Sequence, residues 1–111
     1  MTDLISKHCV PCEGGVPALP PAKIKEYLAD LPKWTLSDDG ADIKRVLQFK
    51  NFHETMAAVN AIAWIAHQEN HHPDLSVGYD YCRIVYSTHA IGGLTENDFI
   101  CAAKIENILF G

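Results

Sequence analysis

The segment "NFHETMAAVNAIAWIAHQENHHP" leaves the chain little choice of fold. It opens on Asn51, a good helix cap, and Glu54 stands three positions on, where it can reach back in the manner of a capping box. Phe52, Met56, Val59, Ala63 and Ala66 then recur at three- and four-residue spacing, and Ile62 and Ile65 widen that stripe. Pro73 biases the residues just before it away from helical angles, so the helix is expected to end near Asn70. A long helix with one apolar face needs a surface to cover, and the flanking sequence supplies strands.

Upstream, "KWTLSDDGADIKRVLQFK" reads as two short strands around a turn at "SDDGAD". In the second strand Ile43, Arg45, Leu47 and Phe49 share one face, and Lys44, Val46 and Gln48 the other. Arg45 breaks the alternation, which leaves the inward face open. Downstream, "DLSVGYDYCRIVYSTH" reads as a strand, a tight turn near Tyr79-Asp80-Tyr81 and a longer strand. Cys82, Ile84, Tyr86 and Thr88 share one side of it; Arg83, Val85, Ser87 and His89 share the other.

Two more helices complete the order. "AKIKEYLADL" sets Ile24, Tyr27, Leu28 and Leu31 at helical spacing before Pro32. In "LTENDFICAAKIENILF", Thr95 and Asp98 make a capping box, Leu94 and Phe99 a hydrophobic staple, and Cys101, Ile105 and Ile108 a stripe that Asp98 extends toward the N-terminus. Helix, two strands, helix, two strands, helix gives an α+β class: a four-stranded antiparallel sheet with about three helices packed on one face. Residues 1–22, with "EGGVPALPPA", read as an irregular lead-in, and residues 23–111 as a single domain.

The net charge of −5 argues against a nucleic-acid surface. No apolar run is long enough for a membrane span, and "MTDLISKHCV" lacks the features of a secretory leader. Four cysteines without secretory context suggest a reduced, cytoplasmic protein.

His71, His72 and His89 fall at the ends of the long helix and the last long strand, which can converge at one rim of a sheet. Imidazoles titrate near neutrality and can supply an acid and a base to one substrate. Read singly, a histidine at a helix end is more often a cap or dipole partner than a catalyst, and three converging ones bring the two readings level. A metal site is the rival reading, because His67 and His71 share a helix face at i, i+4, with His89 or Asp98 as a third ligand. Asp98 has two roles open to it, as a cap or as the group that orients a histidine. Cys9 and Cys12 form the one Cys-x-x-Cys motif, read either as a surface turn or as metal binding between chains with His8. Cys82 and Cys101 read as core. Trp34, Trp64, Tyr79 and Tyr81 read as packing, with Tyr79 the best candidate for ligand stacking, and His53 as solvated.

From His71-His72-Pro73 through Tyr79, Ser87-Thr88-His89, Gly93-Leu94-Thr95 and Asp98, the chain resembles the pterin-4a-carbinolamine dehydratases. The likeness runs back through "FKNFHETMAAVNAIAWIAHQEN" and "LPKWTL", and so covers nearly everything after residue 22. It implies dehydration of 4a-hydroxytetrahydropterin to quinonoid dihydropterin, with no metal and no organic cofactor. By resemblance His71 and His89 would be acid and base, and His72 would position the pterin and share a proton role. Asn70, Ser87 and Thr88 would line the site, and Asp98 would orient a histidine. Family members form homodimers or homotetramers, and a functional link to an aromatic amino-acid hydroxylase is implied. The alternative is a non-catalytic binding module, since some animal members act as dimerisation cofactors of a transcription factor. Ala90-Ile91 stand where many relatives carry an acidic residue and a cysteine, and Leu75 where many carry tryptophan.

Overall fold

A computed structural model describes residues 3–11 and 17–111, so Cys12 of the Cys-x-x-Cys motif lies outside the described residues. The elements are α1 (Pro21–Ala29), β1 (Thr35–Leu36), β2 (Ile43–Gln48), α2 (Phe52–Glu69), β3 (Asp74–Val77), β4 (Tyr81–Tyr86) and α3 (Glu96–Phe110). The four strands form one antiparallel sheet in the order β1-β2-β4-β3. Because β4 runs antiparallel to both neighbours, β2 and β3 are parallel, and joining parallel strands takes a long crossover. The 18-residue α2 is that crossover. The α+β expectation holds.

The sheet's inward face is the one Arg45 had left open. Ile43, Leu47, Cys82, Ile84 and Tyr86 are buried there, while Lys44, Val46, Gln48 and Arg83 face outward. Arg45 tolerates the inward side because its Nε donates to Glu106 Oε1 at 2.7 Å. The same oxygen accepts the buried Trp34 indole N–H at 2.9 Å. A charge can sit at the margin of a core when it is paired and hydrogen-bonded.

Two helix stripes differ from expectation. On α2 the buried positions are Thr55, Ala58, Ile62, Ile65 and Glu69, so the helix is rotated and Phe52 and Ala63 are exposed. Two polar residues set this face. Thr55 Oγ1 bonds the carbonyls of Asn51 and Tyr79, both at 2.9 Å, and Glu69 is held by partners described below. Trp64, expected to pack, is 58% exposed and lies against the His67 ring. Tyr79 and Tyr81 are exposed as well, and Tyr79 sits by Thr55, roughly 20 Å along α2 from its far end. On α3 the stripe continues from Ile105 to Leu109, which packs on the core, and Ile108 is exposed.

Among the described residues of the lead-in, Leu4 is buried in the core, and α1 already begins at Pro21. No helix among the described residues is long and apolar enough to cross a membrane.

Candidate active site

The carboxyl end of α2 is closed by Asn70 in the left-handed region, φ 52° and ψ 42°. The His71 N–H returns to the Ala66 carbonyl at 3.1 Å and the Asn70 N–H to that of His67 at 3.3 Å, a Schellman closure. This turn throws His71 back under the helix it has just left. A β-carbon costs about 1–2 kcal/mol in that conformation, and asparagine tolerates it better than most. Asn70→Val is therefore expected to lower stability by about 1–2 kcal/mol and Asn70→Gly to leave it nearly unchanged, as urea unfolding midpoints will report.

His71 meets two buried groups. Its ring stacks on Tyr86 with centroids 5.6 Å apart and planes 11° from parallel. Its Nε2 lies 2.6 Å from Asp98 Oδ1, and Asp98 is wholly buried. The other carboxylate oxygen accepts from Thr88 Oγ1 at 2.8 Å and from the Thr95 N–H at 3.0 Å. Thr95 and Asp98 complete a capping box at the start of α3, where the helix dipole favours negative charge. Both roles open to Asp98 in the sequence thus meet in one carboxylate.

Burial by itself would lower the His71 pKa, but the hydrogen bond and the charge of Asp98 outweigh it and raise it above 6.5. A raised folded-state value means the pair stabilises the fold fully below about pH 6.5. That contribution is lost as pH climbs through the raised value.

His72 and His89 are exposed along the same cavity, with ring centroids 6.3 Å apart. His89 stands in a turn that begins at the Thr88–Gly93 bridge and uses Gly92 at φ 72°. The six expected residues Asn70, His71, His72, Ser87, Thr88 and His89 line one cavity of about 530 Å³, with Asp98 behind it. His67 is exposed on α2. Among the described residues no three His, Cys, Asp or Glu side chains are arranged to hold a metal ion.

The third wall comes from the lead-in, which sequence reasoning had left without a role. Cys9, Val10 and Pro11 line the cavity together with Glu69 and Asn97. Glu69 Oε1 accepts the Cys9 N–H at 2.7 Å, and its Oε2 lies 3.0 Å from His8 Nδ1 and 3.6 Å from Lys104 Nζ. Burial would raise the Glu69 pKa, yet these partners together hold it below the usual carboxylate range. The Asn97 side chain clamps Val10 on both sides, accepting its N–H at 3.1 Å and donating to its carbonyl at 2.6 Å. Glu69 was findable, since it sits four residues after Ile65 on the buried face. No sequence signal marked Val10 or Pro11.

A larger groove of about 720 Å³ runs between the lead-in and the end of α3, lined by Leu4, Ile5, Leu31, Ala103 and Phe110 among others. Its carboxylates are Asp3, Asp30 and Glu106, and no histidine is among its described lining residues.

Known proteins resemble this chain over most of its length. A protein of Legionella pneumophila (strain Corby), provisionally named a pterin-4-alpha-carbinolamine dehydratase, is 61% identical over 109 residues, covering 97% of this chain and 96% of its own. One from Nitrosomonas europaea with the same provisional name is 56% identical over 105 residues, covering 94% and 91%. The crystal structure of a transcriptional coactivator/pterin dehydratase from Brucella melitensis superposes with a TM-score of 0.78 at 28% identity, covering 82% of this chain and 97% of that one. A pterin dehydratase-like RuBisCO assembly factor of the alpha-carboxysome shares the fold alone, with a TM-score of 0.62 at 18% identity over 71% and 92% of the two chains. The pattern of the family described as Pterin 4 alpha carbinolamine dehydratase matches residues 17–108, and the chain belongs to that family.

Proposed function

We propose that the protein dehydrates 4a-hydroxytetrahydrobiopterin to quinonoid dihydropterin and water. The observation that carries this reading is the buried Asp98 carboxylate 2.6 Å from His71 Nε2, at the edge of a cavity that two further histidines face. In the elimination, the 4a carbon–oxygen bond breaks as the hydroxyl takes a proton and leaves as water. A proton departs from the ring nitrogen, and its electron pair becomes the new carbon–nitrogen double bond.

Asp98 suits His71 to the first task, because it keeps the imidazolium charged at a pH where burial alone would discharge it. His72 and His89 then receive the ring-nitrogen proton between them and seat the pterin. Asn70, Ser87 and Thr88 line the cavity beside them. The product calls for a reductase, and the substrate for an aromatic amino-acid hydroxylase, in a reducing cytoplasm. Exposed Phe52 and Trp64 on α2 give a homodimer or homotetramer apolar surface to bury.

A second reading, a non-catalytic binding module, draws on that same exposed face and on the coactivator half of the Brucella protein's name. The two separate in one assay. Decay of enzymatically generated 4a-hydroxytetrahydropterin, followed by absorbance, is expected to accelerate with protein present and to ignore a chelator. Because the working acid is lost when His71 discharges, the acceleration should persist above pH 6.5 and fall away as pH passes the raised His71 value. No acceleration at any pH would leave the binding module standing.

A further inference from the structure

Behind the histidine cavity lies a pair of thiols that the proposed dehydration does not use. Cys9 Sγ and Cys101 Sγ are 3.6 Å apart although the residues are 92 positions apart in sequence. Cys9 is half-buried on the cavity wall, whereas Cys101 is wholly enclosed in α3. Cys101 Sγ also reaches the His71 carbonyl at 3.8 Å, and Cys9 Sγ the Asn97 carbonyl at 3.6 Å. We propose that Cys9 and Cys101 are an oxidisable dithiol, the site at which a small peroxide installs an intrachain disulfide on the wall of the cavity.

The geometry favours this pair in two ways. A disulfide needs the sulfurs at about 2.05 Å, so roughly 1.5 Å must be closed, and Cys9 lies in irregular backbone rather than in a helix or strand. Access is graded as well: the oxidant meets Cys9 first, and Cys101 is positioned behind it to resolve the product. The hydrogen bond between the two sulfurs pushes the Cys9 thiol up and holds Cys101 below its usual range despite burial, with the charge of His71 adding to the latter. The Cys101 sulfur is thus placed to take the Cys9 proton as Cys9 attacks the peroxide.

In the first step Cys9 Sγ bonds to one peroxide oxygen as the oxygen–oxygen bond breaks, giving a sulfenic acid and the first water. Cys101 Sγ then attacks Cys9 Sγ, the sulfur–sulfur bond forms, and the sulfenic oxygen leaves in the second water. Two thiols and one hydrogen peroxide become one disulfide and two waters. The bridge ties the wall at residues 8–11 to the helix that carries Asp98, three residues before Cys101.

The test begins with the reduced full chain, treated with one equivalent of hydrogen peroxide, alkylated, digested with trypsin and read by mass spectrometry. The expected result is a cross-linked peptide pair joining Cys9 to Cys101, lighter by two hydrogens, released by dithiothreitol and accompanied by a rise of several degrees in Tm. Cys9 and Cys12 share a tryptic peptide between Lys7 and Lys23, so Cys12→Ser assigns the bridge. That variant should keep the cross-link and Cys9→Ser should lose it. A Cys9–Cys12 bridge, a sulfinic acid at Cys9, or full alkylation of every cysteine after treatment would each overturn the proposal. None of these outcomes depends on whether the protein turns over a pterin.

Discussion

His71→Gln is expected to slow dehydration about 10²- to 10⁴-fold, the usual worth of a general acid. Glutamine keeps an N–H for the buried Asp98 oxygen that now lies 2.6 Å from the imidazole, but it carries no proton that titrates. The loss should therefore fall on kcat, with a small change in stability. His71→Ala should be equally slow and also less stable, because it strips the buried carboxylate of one of its three partners and leaves space against Tyr86. Stopped-flow rates set beside thermal melts distinguish the two effects. A glutamine variant at near wild-type speed would remove His71 from the chemistry.

Asp98 should show the largest combined effect. Asp98→Ala orphans the Thr95 N–H, uncaps α3 and leaves the His71 imidazole without its counter-charge, for a loss of about 3 kcal/mol. In a domain of this size that is a fall in Tm of roughly 10–15 °C. Asp98→Asn is the more informative partner. Its amide oxygen can still accept from Thr95, so most of the stability should survive. With the charge gone, burial is the main influence left on His71, and its pKa should drop below the ordinary value. The descending limb of the pH–rate profile should then move to lower pH. An unchanged limb would mean that some other group supplies the proton.

The sequence carried the fold well because its strongest signals were geometric. Period-two alternation in β4, caps at both long helices and a proline after two histidines each have one easy structural meaning. They placed His71, His72 and His89 at element ends, which is why the rim could be expected before it was seen. The failures share a cause. The α2 stripe was drawn through Phe52 and Ala63, yet the buried face runs through Thr55 and Glu69, whose polar groups are satisfied by distant backbone at Tyr79 and Cys9. Hydrophobicity along one helix cannot register a hydrogen bond offered from elsewhere in the chain. The same limit hid the lead-in: Leu4 belongs to the core cluster and Val10 is held by Asn97 of α3, and no local pattern encodes either placement.

The three bonds at Asp98 also bear on how related sequences should be read. One carboxylate both starts α3 and steadies His71, so selection for a folded protein preserves it even in a lineage that has abandoned catalysis. Finding aspartate at this position in a paralogue therefore says that the helix begins there, and nothing more. The exposed His72 and His89 have no such second duty to shelter them, and mutational drift would reach them first. Under the proposed chemistry, it is their retention, rather than that of the buried acid, that would separate working enzymes from inherited scaffolds.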